Sequence, residues 1–199
     1  MLRPALTWPC RRFCLDGEVT MKRRVLFDAS QINRMLTRMA HEINERTDIH
    51  QVVLVGIKTR GANLADRLQE KLATITQVQV GVEHIDIQFY RDDLVKNHAD
   101  PQIKHLSFTH NLTDKTVVIV DDVLYTGRSI RAALTALQSF GRPSKVELLV
   151  LIDRRFSRDL PIQPDYIGKA VDAINKERVV VNWASQDGED AVYLVEKQA

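Results

Sequence analysis

The sequence predicts an α/β fold, a parallel sheet flanked by helices, with a small C-terminal β-rich hood. Three observations carry this. Short β-branched runs alternate with amphipathic helical stretches from Asp28 to Ile152, the pattern of right-handed βαβ crossovers. After Asp153 the pattern changes to turns and short strands. The 199 residues, 44% of them hydrophobic, suit one packed domain and are too apolar for a disordered chain.

The elements follow in order. Asp28 with Gln31 three residues on forms a capping-box pattern. Behind it Ile32, Met35, Leu36, Met39, Ala40 and Ile43 recur at helical spacing, predicting a helix of about five turns. Gln51–Ile57 reads as a buried strand. Ala62–Ala73 is helical, with Leu64, Leu68 and Leu72 on one stripe. Val78, Val80 and Val82, then Ile85, Ile87 and Phe89, alternate like a strand with a phase break near His84. Residues 90–114 are polar and long for a connection, which predicts a functional lid or an insert. Thr116–Val120 is a buried strand and Arg128–Phe140 a helix, which Gly141 and Pro143 end. Lys145–Ile152 is the last strand of the alternating series. Tyr166–Gly168, Arg178–Trp183 and Ala191–Val195 are the short strands of the hood.

Composition excludes several classes. No apolar run approaches the roughly 20 residues of a membrane-spanning helix. The first 20 residues lack the apolar stretch of a secretory signal. The only cysteines, Cys10 and Cys14, lie in that segment, so the body has no disulfide framework and no cysteine zinc site, and a reducing cytoplasmic setting is expected. The net charge of +2 conceals an asymmetry. Residues 1–24 carry six basic and two acidic groups, and the rest 22 basic and 24 acidic. The body is faintly acidic, so bulk charge gives no reason to expect nucleic acid. The histidines from His84 to His110 are too irregularly spaced for a metal site and read as a solvated loop.

Ligands of a parallel sheet bind beyond the carboxyl ends of its strands. There stands Asp121-Asp122-Val123-Leu124-Tyr125-Thr126-Gly127-Arg128-Ser129, between the strand from Thr116 and a helix. Two carboxylates are acceptors suited to a sugar diol or a hard cation. The turn at Thr126-Gly127, the hydroxyls of Thr126 and Ser129 and the helix start behind them suit an anion. Together they describe a ribose 5-phosphate site. The ATPase alternative fails because Ala62 follows Gly56–Gly61 where a phosphate-loop lysine is required. A plain helix cap would leave the Thr-Gly-x-Ser spacing unexplained.

Val117–Ile130 (VVIVDDVLYTGRSI) resembles the phosphoribosyl pyrophosphate (PRPP) motif of type I phosphoribosyltransferases. The resemblance implies that Asp121 and Asp122 hold the ribose hydroxyls and that Tyr125 through Ser129 hold the 5′-phosphate. Four further segments narrow it: Gly56–Gly61 (GIKTRG), Phe89–Leu94 (FYRDDL), Asp165–Lys169 (DYIGK) and Thr37–Glu42 (TRMAHE). These resemble the members of that family that regulate pyrimidine operons and also act as uracil phosphoribosyltransferases. The resemblance covers about residues 22–199. Residues 1–20 are expected to be a disordered or non-native leader, and 21–199 one domain with its hood mainly over 153–199.

The resemblance implies conversion of uracil and PRPP to UMP and diphosphate, with Arg60, Arg91, Asp121 and Asp122 as catalytic residues. Lys58, Thr59 and Arg60 would grip pyrophosphate, a lid over about 90–106 would bring Arg91 to the leaving group, and Arg154 and Val179 would approach the nucleotide. Mg²⁺ would be held mainly through PRPP, with no direct protein ligand or with Asp121 or Asp122 alongside. Tyr125 stands where related purine enzymes place a carboxylate before Thr-Gly. Asp153–Pro161 is one residue longer than the family spacing, and Gln163 replaces a basic residue.

Arg34, Arg38 and His41 fall on one face of the first helix, bordered by Thr37, opposite its apolar stripe. The plain reading is a solvated face. The resemblance makes Arg34, Thr37, Arg38, His41, Arg158 and Lys169 an RNA-binding set for a pyrimidine-operon mRNA leader, responsive to UMP or UTP. It also implies a homo-oligomer, dimer or hexamer, with no membrane partner. The alternative is a purely metabolic phosphoribosyltransferase without RNA binding.

Overall fold

A computed structural model describes residues 23–90, 108–173 and 177–196. A five-stranded sheet forms its centre. Its strands are β2 (Val52–Ile57), β3 (Gly81–Ile85), β4 (Thr116–Leu124), β5 (Lys145–Arg154) and β6 (Tyr166–Val171), in the order β3-β2-β4-β5-β6. Every neighbouring pair is parallel. Helix α1 (Ala29–Arg46) precedes β2, α2 (Arg60–Thr76) joins β2 to β3, and α3 (Arg128–Leu137) joins β4 to β5.

Period-two alternation splits the sheet into two faces. Val52, Leu54, Val118, Val120, Leu149 and Leu151 pack with α1, α2 and the hood. Val53, Val55, Ile57, Val117, Ile119 and Val150 pack with α3 and Leu112. The capping box at α1 forms as expected: Gln31 N donates to Asp28 Oδ1 at 2.8 Å and Asp28 N to Gln31 Oε1 at 2.9 Å. The predicted apolar stripe of α1 is its buried face.

The hood differs from expectation. It is an antiparallel sheet of β1 (Arg23–Phe27), β8 (Ala191–Glu196) and β7 (Glu177–Asn182), in the order β1-β8-β7. A one-turn helix, α4 (Ala184–Asp187), links β7 to β8. Of the short strands after Asp153, β6 joins the main sheet beside β5. The third hood strand comes from the other end of the described chain. β1 offers only Val25, Leu26 and Phe27 as apolar signal and sits at a sheet edge, half exposed.

Several boundaries also shift. β4 runs four residues past Val120, and β5 runs to Arg154, because their main-chain ladder continues through Asp121↔Val150 and Leu124↔Asp153. Backbone pairing does not require apolar side chains. α2 begins at Arg60 rather than Ala62. α3 ends at Leu137, after which Ser139 and Phe140 close tighter turns onto Ala136 and Leu137. Of the long alternation from Val78, only Gly81–Ile85 is strand.

Candidate active site and basic groove

The carboxyl ends of β2, β4 and β5 meet at one place. β2 ends at Ile57, where the Lys58 N–H still donates to Ile85 O of β3 at 2.9 Å. Lys58 and Thr59 are exposed and Arg60 opens α2. Gly61 explains why this turn lies against the acidic pair. A Cβ there would fall 2.5 Å from Val120 O and 3.1 Å from Asp121 Cα. Only a residue without a side chain allows this approach, so Gly56–Gly61 and the Asp121 segment form one site rather than two adjacent ones.

Asp121 is 8% exposed, and its Oδ1 accepts the Asp122 N–H at 3.0 Å. Burial pushes the Asp122 carboxyl above its ordinary value, against the opposing pull of the hydrogen bond from the Asp121 side chain and the charge of Arg60. Past Leu124 the chain turns. Gly127 has φ +92°, a left-handed conformation that favours glycine, and its carbonyl accepts from Arg131 N at 3.0 Å. Gly127 is buried, Thr126 and Ser129 are half-buried, and Arg128 is exposed.

The connection from β5 to β6 braces this turn. Asp159 N donates to Thr126 O at 3.1 Å, and Arg128 Nε to Asp159 Oδ2 at 3.1 Å. Arg158 turns its guanidinium inward, donating to Leu124 O, Tyr125 O, Arg154 O, Ile162 O and the Asp153 carboxylate. Arg154 is 4% exposed and lies over the Tyr125 ring, 4.2 Å from its centroid. Its Nε and Nη2 have no hydrogen-bond partner among the described residues. Burial lowers its pKa, against the attraction of Tyr125 and Glu177. A buried cation with idle donors costs free energy unless something accepts from it.

Arg60 points toward the hood. Its Nε donates to Val181 O at 2.5 Å, and its Nη2 lies 3.1 and 3.3 Å from the Asp187 carboxylate oxygens. Two turns further along the same face of α2, Arg67 makes a two-pronged pair with Asp190 at 2.7 and 2.9 Å and lies over the Trp183 ring at 4.6 Å. Val179 of β7 is buried in the core beneath the hood. Arg91 and the expected lid lie outside the described residues.

On the other side of α1, Arg34, Arg38 and Lys169 line one groove with Phe27, Gln31 and Met35. Arg38 donates to Ile167 O and Gly168 O, both at 2.7 Å, so α1 is tied to β6 by the side chain that also borders the groove. Its other prong stands 3.7 Å from Glu42. His41 is exposed, and Thr37 bonds back to Asn33 O at 3.0 Å. Arg158 is not in this groove. It lines a separate cavity with Arg155, Phe156 and Gln163.

A family model described as a phosphoribosyl transferase domain matches residues 25–186. The Bifunctional protein PyrR of Oceanobacillus iheyensis is 46% identical over 179 residues, covering 88% of this chain and 99% of that protein. The Bifunctional protein PyrR of Clostridioides difficile is 47% identical over 172 residues, covering 86% and 97%. The chain belongs to the PyrR family of phosphoribosyltransferase-domain proteins.

Solved structures agree on the fold of this PyrR-family chain. The hypoxanthine phosphoribosyltransferase of Trypanosoma cruzi superimposes with a TM-score of 0.65 at 18% identity, covering 88% of this chain and 97% of that one. One from Staphylococcus aureus gives 0.64 at 20% identity, covering 88% and 92%. The PyrR-like segments read in the sequence thus fall into two places. Lys58–Gly61 and Asp121–Ser129 share the strand-end site, and Arg38 and Lys169 share the groove with Arg34, whereas Thr37 and His41 do not line it. Asp187 and the Val181 carbonyl, which hold Arg60, were not foreseen. No motif surrounds Asp187, and only the fold of the hood carries it to α2.

Proposed function

We propose that the chain converts uracil and PRPP to UMP and diphosphate, and that it attenuates transcription of a pyrimidine operon by binding its mRNA leader when a uridine nucleotide is bound. The observation that carries the enzymatic half is the contact, through Gly61, between the Lys58–Arg60 turn and the carboxylates ahead of the Thr126–Ser129 turn. One site can then receive pyrophosphate, ribose diol and 5′-phosphate together. The regulatory half rests on the groove that joins Arg34, Arg38 and Lys169.

In this reading Asp121 and Asp122 accept from the ribose hydroxyls, and the N–H groups of residues 125–129 receive the 5′-phosphate. Lys58, Thr59 and Arg60 take the pyrophosphate, and Arg91 would reach it from the segment outside the described residues. As the bond from C1′ to the pyrophosphate oxygen breaks, uracil N1 bonds to C1′ and its proton leaves for solvent. The charge that accumulates on the leaving pyrophosphate is what Lys58 and Arg60 stabilise. Arg154, whose idle donors are buried beside Tyr125, supplies hydrogen bonds to the nucleotide, and Val179 is on the hood strand β7 that would cover it.

The residues fit Mg²⁺ brought by PRPP. Asp121 and Asp122 are oxygen donors suited to a hard cation. Bound with PRPP, the ion would neutralise pyrophosphate charge.

The protein would work in the cytoplasm as a homodimer or hexamer, which multiplies the groove. No described helix is long and apolar enough to cross a membrane. Two assays test the reading. UMP formation from uracil and PRPP with Mg²⁺ is expected, and its absence removes the enzymatic half. A gel-shift titration with pyrimidine-leader RNA should tighten with UMP. Weak binding unchanged in Arg38→Ala and His41→Ala would leave a purely metabolic enzyme.

A further inference from the structure

A side chain of the pyrophosphate turn reaches the hood. Arg60 leaves β2 on the first residue of α2 and extends to β7 and α4, where Val181 O and Asp187 receive it. Asp187 is itself fixed, because its Oδ2 accepts the Trp183 N–H at 3.0 Å. The hood that carries Asp187 is locked to the same helix by the Arg67–Asp190 fork and by Arg67 over Trp183. Arg60 is about one-third exposed, so its bonds are partly shielded from water.

We propose that Asp187 is a positioning residue for PRPP: with the Val181 carbonyl it holds the Arg60 guanidinium between the hood and the Asp121–Asp122 pair, set for the pyrophosphate. This rests on the function proposed above. A guanidinium carries five donors in a fixed fork, and the hood takes those of the Nε–Nη2 edge. The charge of Arg60 also acts on Asp122. Without a counter-pull it would be drawn onto that carboxylate and would compete with the ribose hydroxyls for its oxygens. Asp187 supplies the counter-pull from the opposite side. Placement of a phosphate-binding cation then depends on the hood being docked, which links closure over the nucleotide to grip on the leaving group.

The test is calorimetric titration of the full chain with PRPP and Mg²⁺, with no uracil present. Asp187→Asn keeps an oxygen for the Trp183 N–H but removes the charge. It is expected to weaken PRPP binding by about ten- to a hundredfold, the range for a misplaced binding group. Asp190→Asn loosens the hood but leaves Asp187 and the Val181 carbonyl on Arg60, and is expected to weaken PRPP binding less than Asp187→Asn does. In an Arg60→Gln background Asp187→Asn should have no further effect, because it acts through Arg60. Should Asp187→Asn not fold, Asp187→Glu replaces it, with a smaller loss expected in the same direction. Unchanged or tighter binding in the Asp187 variants, an equal loss in Asp190→Asn, or an additive loss in the double variant overturns the inference. Failure of the unaltered chain to bind PRPP overturns the function instead.

Discussion

At Asp122, function and stability pull in opposite directions. Burial raises its carboxyl pKa in the folded chain, although the hydrogen bond from Asp121 and the charge of Arg60 oppose it. A carboxyl raised on folding costs nothing while protonated in both states, and its cost grows as pH rises through the unfolded value. At neutral pH the folded protein therefore carries a penalty at this position. Asp122→Asn is expected to abolish UMP formation and to raise the melting temperature at pH 7, with the gain shrinking toward acid. Thermal denaturation of both proteins at several pH values, alongside the turnover assay, checks this. A lower melting temperature at pH 7 would show that the carboxylate is stabilised where it lies. Gly61 makes the complementary case. A methyl group there would meet Val120 O at 2.5 Å, a backbone atom that cannot swing aside. Gly61→Ala should cost about 1–3 kcal/mol, the usual price of overpacking, and should separate the two halves of the site. Denaturant melts and PRPP binding report the two effects.

Elements differ in how legible they were. α1 was readable because its capping box and its 3.6-residue stripe agree, and the structure buries that stripe. The carboxylate pair and the turn behind it were readable because strand, acid pair, glycine and helix are contiguous. β1 and α4 were not. β1 gains its stability from pairing with β8, some 165 residues away, and five residues with three apolar positions give no periodicity to detect. The acid pair does not end β4 either, since a charged side chain leaves the main-chain ladder free to continue. Basic character alone could not separate Arg158, which is spent on loop carbonyls, from Arg34, which lines the groove. The edge strand β3 carries a further prediction. Glu83 is buried, and its Oε1 accepts from Thr109 N and Oγ1 and from His110 N, and meets His110 Nδ1. Burial pushes its pKa up, but the bonds from Thr109 and His110 outweigh it and hold the carboxyl below its ordinary value. Stability from such a group is present above the unfolded value and lost as pH falls through the folded one. Glu83→Gln should therefore melt at a lower temperature than the unaltered chain at pH 7, and the gap should close in acid.

For the whole molecule, the average charge hides the surface that matters. A chain with a net charge of +2 still gathers Arg34, Arg38 and Lys169 along one groove, and local charge is what phosphates meet. That groove is also wired to the hood. β1 pairs with β8, β8 pairs with β7, and β7 supplies the Val181 carbonyl that receives Arg60. Phe27, the last residue of β1, lines the groove, and Asp28 next to it caps α1. One residue therefore separates the hood from the helix that bears Arg34 and Arg38. If a uridine nucleotide settles the hood, this junction carries the change to the groove proposed to bind RNA. Binding free energies are reciprocal: a nucleotide that tightens RNA by some factor must itself be tightened by RNA by the same factor, commonly about 5- to 150-fold. Titrating UMP with and without leader RNA is expected to give the factor found in the gel shift. Two glycines inserted between Phe27 and Asp28 keep the capping box but slacken the junction. That variant should bind UMP and RNA separately as before, with the factor between them falling toward one. A factor unchanged by the insertion would place the coupling elsewhere, for example in the bonds from Arg38 to Ile167 and Gly168 and from Arg46 to Asp165, which also tie α1 to β6.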